Sequence, residues 1–171
     1  MPALFIGRFQ PFHKGHLEAI KWILKRERKI LIVIGSIDKS SMKNNLFSLD
    51  ERKEMIRKTL SAENIKNYKL YGVKDYKDDI FWARKVLKTA KLSSKENTVY
   101  TQNPWTKNCF KKIEVKVKPH PIFFNKLSGT QIREKIFENQ KWKNLVPRTV
   151  FDFLMKINIE KRIKTLNQNA N

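Results

Sequence analysis

The segment that decides the fold lies at the start of the chain, where residues 3–16 read ALFIGRFQPFHKGH. The first four, all apolar, predict a short buried strand, and the residues after His16 have helical periodicity. Between strand and helix stands His-x-Gly-His, formed by His13, Gly15 and His16. A helix that begins here offers unpaired N–H groups and the positive end of its dipole. The glycine allows close backbone approach and the histidines add donors, so this turn suits a nucleoside triphosphate.

The rest of the chain alternates strand-like and helical segments. Strands are predicted at 3–6, 30–34, 68–73, 97–101 and 113–118, and helices at 17–29, from a capping box at 48–51, and at 79–92, 130–137 and from Pro147 onward. Such alternation predicts an α/β fold with a Rossmann-like, doubly wound parallel sheet. We expect a single domain over residues 1–164 and a polar, frayed tail at 165–171. Residues 105–110 suit nucleic-acid stacking or, at least equally well, a surface loop over the nucleotide site.

The topology also predicts where a ligand binds. In doubly wound sheets, ligands lie at the carboxyl ends of the strands. The segment Gly7–His16 follows the first strand, and Gly35 and Ser36 follow the second. Both segments are therefore expected at the same edge of the sheet.

The net charge of +21 comes from 37 Lys and Arg residues against 16 Asp and Glu. It fits either a nucleic-acid partner or a solvated surface that draws in small anions. Basic residues are spread along the whole chain without zinc-finger ligands or an aromatic RNA-binding strand, so a specific nucleic-acid partner is not expected. No apolar run is long enough to predict a membrane span. The single cysteine, Cys109, excludes an internal disulfide and favours the cytoplasm.

A second turn also suits phosphate. Neither a dinucleotide fingerprint nor a P-loop can be built from the five glycines. The segment Ser128–Arg133, however, reads SGTQIR and enters a predicted helix. Hydroxyls, first-turn N–H groups and an arginine together form an anion site. The residues show no cluster with metal-ligand spacing, so no metal site made of protein ligands is predicted.

The two turns resemble those of a known family. The sequence GRFQPFHKGH at 7–16 and SGTQIR at 128–133 are similar to the motifs of archaeal-type nicotinamide-nucleotide adenylyltransferases, in the His-x-Gly-His nucleotidyltransferase superfamily. The resemblance covers residues 3–158. It implies that ATP and nicotinamide mononucleotide give NAD and pyrophosphate, with Mg²⁺ arriving on ATP. Two alternatives stay open: a nucleotidyltransferase with another phosphorylated acceptor, and a basic nucleic-acid-binding protein on the same fold.

The resemblance also implies roles for single residues. His16 would stabilise charge in the transition state, with His13, Arg8 and Arg133 beside it as catalytic residues. No general base is required, since a phosphate nucleophile is already ionised near neutral pH. The expected ATP-binding residues are Gly7, Arg8, Phe9, His13, Gly15, His16, Asn103, Ser128, Thr130, Ile132 and Arg133.

For the mononucleotide, the resemblance implies contacts from Ser36, Asp75, Asp79 and Trp82. Trp82 could stack on the pyridinium ring, but its spacing with Val86 fits a core position equally well. Asp79 stands where the family commonly has Asn, and a carboxylate there would repel nicotinate mononucleotide. The residues therefore predict a preference for the amide. The family also implies a homo-oligomer, of which a hexamer is one form.

Overall fold

The computed structural model describes residues 2–40, 42, 44–92 and 97–168, with side chains to residue 166. The chain divides into two compact units. The first unit comprises Met1–Arg8, Glu18–Asp38 and Asn67–Ile122, and the second comprises Phe9–Leu17, Lys39–Lys66 and Phe123–Asn171. Each unit brings together segments that are far apart in sequence. The predicted domain range of 1–164 stays a prediction.

The first unit contains a five-stranded sheet. Its strands are β1 (Ala3–Gly7), β2 (Ile30–Ile34), β3 (Tyr68–Gly72), β4 (Thr98–Tyr100) and β5 (Lys116–Lys118). They pair in the order β3-β2-β1-β4-β5, and every pairing is parallel. All five residues of β2 are buried, as expected for a purely apolar strand covered on both faces. The predicted Rossmann-like parallel sheet is confirmed.

Helices α3 (Asp79–Ala90) and α4 (Pro104–Lys111) belong to the same unit. Trp82 and Val86 of α3 are buried, and with strands and α4 they form an apolar core that also includes Leu4, Val33, Val99 and Phe110. The expectation of a surface loop at 105–110 is wrong, because these residues lie in α4. The signal was Asn103-Pro104: Asn103 accepts the Thr106 N–H, and proline suits the first helical turn.

Helix α1 (Lys14–Leu24) starts and ends earlier than the predicted 17–29. Its first turn belongs to the second unit and its remainder to the first. Of the apolar face predicted at Leu17, Ile20, Ile23 and Leu24, the first three residues are buried and Leu24 is half-buried.

The second unit contains α2 (Leu49–Ala62), α5 (Gly129–Phe137), α6 (Arg148–Lys156) and α7 (Ile159–Gln168). The predicted capping box of α2 is present: the Glu51 N–H donates to Ser48 Oγ and the Ser48 N–H to the Glu51 carboxylate. Arg162 in α7 binds both oxygens of Glu51, at 2.7 and 2.9 Å. These bonds fix the start of α2 to the last helix of the chain.

One predicted helix near the C-terminus is in fact two. Helices α6 and α7 are separated at Asn158, which has a left-handed φ of 50° and accepts the Lys161 N–H on its side chain. Asparagine readily adopts a left-handed φ and often caps the start of a helix, so Asn158 could have predicted the end of α6 and the start of α7. Helix α7 runs to Gln168, and residues 169–171 of the predicted tail lie outside the described residues. Among the described helices, none has the length and apolar character needed to cross a membrane.

Candidate active site

The two histidines of the first turn hold each other in place. The His13 N–H donates to Nδ1 of His16, and the His16 N–H donates to Nδ1 of His13, both at 3.3 Å. Their rings stack with centroids 3.5 Å apart, and His16 also packs on Phe9 and Phe12. Because each Nδ1 accepts a hydrogen bond, a ring N–H of either histidine in this arrangement lies on Nε2. The turn therefore fixes the orientation of both rings.

His13 is held in the neutral form by its surroundings. Its side chain is 4% exposed, and burial lowers its pKa to about 3. Gly15 permits this packing, since a Cβ there would lie 3.1 Å from His13 Nδ1. His13 is thus a neutral ring across the physiological range, and its visible role is to position His16.

The Ser-Gly-Thr turn, residues 128–133, begins helix α5 with a second capping box. The Ser128 N–H donates to Gln131 Oε1 at 2.9 Å, and the Gln131 N–H donates to Ser128 Oγ at 3.2 Å. The sequence contains this signature as Ser-x-x-Gln. The Gly129 and Thr130 N–H groups lie in the same first turn, where an α-helix has no internal acceptor for them. An anion at this position would meet N–H groups and the positive helix end.

The two turns meet at the backbone of Gln10. Arg133 is 4% exposed, and its Nη1 donates to the carbonyl oxygen of Gln10 at 2.7 Å, while its Nη2 donates to Thr130 Oγ1 at 3.1 Å. Gly129 lies so close that a Cβ there would be 2.6 Å from the same Gln10 oxygen. The histidine turn (9–17) and the Ser-Gly-Thr turn are therefore one structure within the second unit, which we call the anion cradle.

Gln10 is a residue of this cradle that the sequence motifs did not single out. Its side chain is 2% exposed and bonds twice with Phe47: Nε2 donates to the Phe47 carbonyl and Oε1 accepts the Phe47 N–H, each at 2.9 Å. This pair fixes the histidine turn to the segment before α2. No short-range pattern could have revealed it, because the two residues are 37 positions apart.

In the first unit, the carboxyl ends of three strands are joined. The Gly35 N–H donates to the carbonyl of Gly7 at 3.0 Å, and Ser36 Oγ donates to Asp75 at 2.9 Å. Ser36 is buried with a left-handed φ of 52°, a conformation that costs a non-glycine residue about 1–2 kcal/mol. Arg8 is exposed just after β1. Ser36 and Asp75, both expected to contact the mononucleotide, are thus hydrogen-bonded to each other.

The other two residues expected near the mononucleotide belong to what we call the tryptophan cluster: Asp79, Trp82, Trp105 and Lys112. Asp79 accepts hydrogen bonds from Lys112 Nζ at 3.0 Å and Trp105 Nε1 at 2.9 Å, and these bonds lower the pKa of its carboxyl. Trp82 is 3% exposed and packs on Trp105 and Phe110. The core interpretation of Trp82 is therefore the one that the packing favours.

The structure distributes the predicted site residues between the two units. The second unit contains Phe9, His13, Gly15, His16, Ser128, Thr130, Ile132 and Arg133, and the first contains Gly7, Arg8, Ser36, Asp75, Asp79, Trp82 and Asn103. Ile132 is fully buried, and the side chain of Asn103 caps α4. Besides Gln10, sequence reasoning missed Trp105 and Lys112, whose partners are distant in the chain.

A parallel α/β sheet with an anion cradle at a histidine turn defines the class of nucleotide-binding nucleotidyltransferases. Comparison with known proteins agrees with this. The cytidylyltransferase-like family matches residues 4–135. A nicotinamide-nucleotide adenylyltransferase of Thermoplasma acidophilum is 39% identical over 166 residues, covering 96% of this chain and 91% of its own. A nicotinamide-nucleotide adenylyltransferase of Methanococcus maripaludis strain C5 is 39% identical over 170 residues, which cover 98% of this chain and 96% of that protein.

A solved structure is also similar. A bifunctional NMN adenylyltransferase/ADP ribose pyrophosphatase from Francisella tularensis, complexed with AMP and a manganese ion, superimposes with a TM-score of 0.82 at 25% identity. The match covers 96% of this chain and 51% of that one, so this chain spans about half of the bifunctional protein. The chain belongs to the cytidylyltransferase-like family and, within it, to the nicotinamide-nucleotide adenylyltransferases.

Proposed function

We propose that this chain transfers the adenylyl group of ATP to the 5′-phosphate of nicotinamide mononucleotide, giving NAD and pyrophosphate. The observation that carries the proposal is the anion cradle, in which one backbone carbonyl, that of Gln10, joins the histidine turn to the Ser-Gly-Thr turn. The acceptor is supported by relatives 39% identical over nearly the whole chain, which carry the name of this reaction.

The chemistry needs no general base. A phosphate oxygen of the mononucleotide attacks the α-phosphorus of ATP, and the bond to the oxygen that bridges the α- and β-phosphates breaks. Pyrophosphate leaves with that electron pair. The attacking phosphate is ionised near neutral pH, since its second pKa is about 6. Catalysis then consists of aligning two polyanions and stabilising the charge that develops on the leaving group.

In this mechanism the cradle binds the triphosphate. His16 donates from Nε2 to the oxygen on which charge develops, and His13 supports it as a neutral ring. Arg133 supplies a buried positive charge, and the first turns of α1 and α5 supply N–H groups. Thr130 and Ser128 line the same turn. For Gly7, Arg8, Phe9, Asn103 and Ile132, contact with ATP rests on the resemblance to the family.

Mg²⁺ is proposed to arrive with ATP. Among the described residues, no three His, Cys, Asp or Glu side chains converge on a metal position. Phosphate oxygens and water would then provide most of the ligands, which suits magnesium. When bound, the ion neutralises phosphate charge, and the cradle residues position the phosphates around it.

For the acceptor, we assign Ser36, Asp75 and Asp79 to the mononucleotide. Trp82 is 3% exposed and packs on Trp105 and Phe110, so it supports the tryptophan cluster from the core. Lys112 offsets the charge of Asp79, so repulsion of nicotinate mononucleotide is expected to be weaker than the sequence predicts. A homo-oligomer and a cytoplasmic location also remain proposals, drawn from the family and from the single cysteine.

The test is pyrophosphate release from Mg-ATP in parallel reactions with nicotinamide mononucleotide, nicotinate mononucleotide, phosphopantetheine, a flavin mononucleotide and glycerol phosphate. Formation of NAD with the first compound supports the proposal. Turnover with a different acceptor alone would assign another nucleotidyltransferase activity. Salt-sensitive binding to oligonucleotides without turnover would favour the nucleic-acid alternative.

A further inference from the structure

The second unit contains a groove between α2 and α6 that the proposed mechanism does not use. Its volume is about 660 Å³, which is in the range of small-molecule sites in proteins. The residues that line it lie between Arg57 and Ala62 of α2 and between Thr149 and Lys156 of α6, and they recur three or four positions apart. One face of each helix therefore forms a wall of the groove. Phe153, which is 5% exposed, forms its apolar floor.

This groove is separate from the anion cradle. The cradle contacts α2 at the opposite end of the helix, where the Gln10 side chain holds Phe47 just before the capping box. From Leu49, the first residue of α2, to Arg57 the helix rises about 12 Å. A small ligand in the groove therefore does not overlap the position proposed for the triphosphate.

Two cations that line the groove, Arg57 and Lys156, have no partner of their own. Neither side chain makes an ion pair or a hydrogen bond within the part of the chain that the structure describes. The third cation, Lys58, is different, because it pairs with Glu54 at 2.7 Å on the same helix. The groove therefore contains two positive charges that the surrounding residues leave unbalanced, and an anion with two negative charges would match them.

Hydrogen-bond acceptors line the same groove. Thr59 donates its hydroxyl hydrogen to the Met55 carbonyl at 2.8 Å, so in the 2.8 Å bond between Thr59 and Thr149 the donor is Thr149. The Thr149 oxygen therefore keeps lone pairs that can accept from a ligand. The Asp152 carboxylate, whose charge is balanced by Arg148 at 2.8 Å, also keeps lone pairs. These two residues suit hydroxyl groups, which can donate to them.

We propose that the groove between α2 and α6 binds a sugar phosphomonoester. A terminal phosphate carries nearly two negative charges at neutral pH, since its second pKa is about 6, and it matches the charges of Arg57 and Lys156. Guanidinium and ammonium groups both bind phosphate oxygens with charge-assisted hydrogen bonds. The sugar hydroxyls donate to Thr149 and Asp152, and the carbon side of the sugar faces Phe153. The inference does not depend on the proposed adenylyl transfer, because none of these residues belongs to the cradle.

The test is calorimetric titration of the full chain with ribose 5-phosphate, in an excess of NAD so that a site for that product is filled. Arg57→Gln and Lys156→Gln should each weaken binding about tenfold or more, since each removes a charge-assisted bond to phosphate. Inorganic phosphate should bind about five- to tenfold more weakly than ribose 5-phosphate, because it lacks the sugar hydroxyls. Thr149→Val should weaken the binding of ribose 5-phosphate and leave that of inorganic phosphate unchanged.

Two control variants separate a built site from general attraction to a basic chain. Lys161→Gln removes one positive charge from α7, outside the groove, and Lys58→Gln combined with Glu54→Gln removes a paired cation together with its partner. Both controls should bind ribose 5-phosphate within about twofold of the unaltered chain, because solvent and salt screen a distant charge and a balanced pair attracts little. In NAD formation, Arg57→Gln and Lys156→Gln should keep both KM values within about twofold.

Three results would overturn the inference. One is the absence of ribose 5-phosphate binding by the unaltered chain. Another is binding that stays unchanged in Arg57→Gln and Lys156→Gln, or that inorganic phosphate equals. The third is a change in the mass of the protein in solution in Arg57→Gln, measured by light scattering, which would assign the groove to a contact between copies of the chain. Failure of the proposed function is distinguishable, because it appears as the absence of NAD formation by the unaltered chain.

Discussion

The anion cradle of the second unit and the tryptophan cluster of the first unit are built in opposite ways. In the cradle, the deciding contacts involve backbone: Arg133 binds the Gln10 carbonyl, and Gly129 approaches the same atom closely. In the cluster, the contacts join side chains that are partly exposed, Asp79 with Trp105 and Lys112. The cradle is proposed to bind a triphosphate, which has the same shape and charge in every reaction of this class, so a rigid site suits it. The cluster is proposed to contact the acceptor, and its side chains can change without disturbing the backbone.

The largest effect is expected at His16, within the cradle. His16→Ala should lower kcat by about 100- to 1,000-fold, since it removes a donor to developing charge. The measurement is steady-state NAD formation, with thermal unfolding as a check on folding. His16→Gln retains an N–H donor at similar reach and should recover part of the rate. A near-normal rate in the alanine variant would remove His16 from the mechanism.

The next effect concerns pH and the neutral ring of His13. Its pKa is lowered to about 3 in the folded protein, against 6.5 for an ordinary histidine. The unfolded chain therefore binds the proton first, and stability falls as pH drops from about 6.5 towards 3, by up to about 1.4 kcal/mol per pH unit. We expect a shallower fall in His13→Asn, whose Oδ1 can replace the acceptor Nδ1. The measurement is the free energy of unfolding by urea at pH 7, 5.5 and 4.

Glu51 also makes stability depend on pH, and it does so equally in the unaltered protein and in His13→Asn. Arg162 and Ser48 hold the pKa of Glu51 below its usual value despite an opposing effect of burial, so its contribution is present above about pH 4.5 and is lost below. The difference in the free energy of unfolding between the unaltered protein and His13→Asn therefore reports His13 alone. If this free energy fell equally with pH in both, burial of a neutral His13 would not be a source of acid sensitivity.

A smaller effect is expected at the point where the two turns of the cradle meet. Gly129→Ala would place a Cβ 2.6 Å from the Gln10 oxygen. The backbone must then shift, at a cost of about 1–3 kcal/mol in the free energy of unfolding, and the KM for ATP should rise. Gly35→Ala is the matched control, since its Cβ would lie 4.0 Å from the Gly7 oxygen, at ordinary contact distance. Equal stability of the two variants would show that the close approach is unimportant.

The smallest effect is expected in the tryptophan cluster, where a change should alter selectivity rather than turnover. Lys112→Met removes the cation that offsets Asp79. The ratio of kcat/KM for nicotinamide over nicotinate mononucleotide should rise about three- to tenfold, limited by solvent screening of exposed charges. Any loosening of Trp105 affects both acceptors alike, so the ratio reports the charge. An unchanged ratio would place Asp79 away from the carboxamide.

Local patterns predicted the elements with strong local signals. The apolar run at 30–34 is β2, and Ser48 with Glu51 forms the capping box of α2. The secondary-structure predictions were wrong where one residue sets the boundary of a helix. Asn103 caps the start of α4, and Asn158 separates α6 from α7. Hydrophobic periodicity does not register such single residues, so neither boundary was predicted.

The sequence by itself determined the alternation of strands and helices, the two turns proposed to bind phosphate and the family, because each depends on residues close together in the chain. The tertiary structure alone decided that Gln10 joins the two turns, that Trp82 is covered and that Trp105 is presented. These features join residues 23 to 123 positions apart. Nothing in local propensity encodes such distances. They follow from the packing within each unit and from the need to satisfy the buried polar groups there.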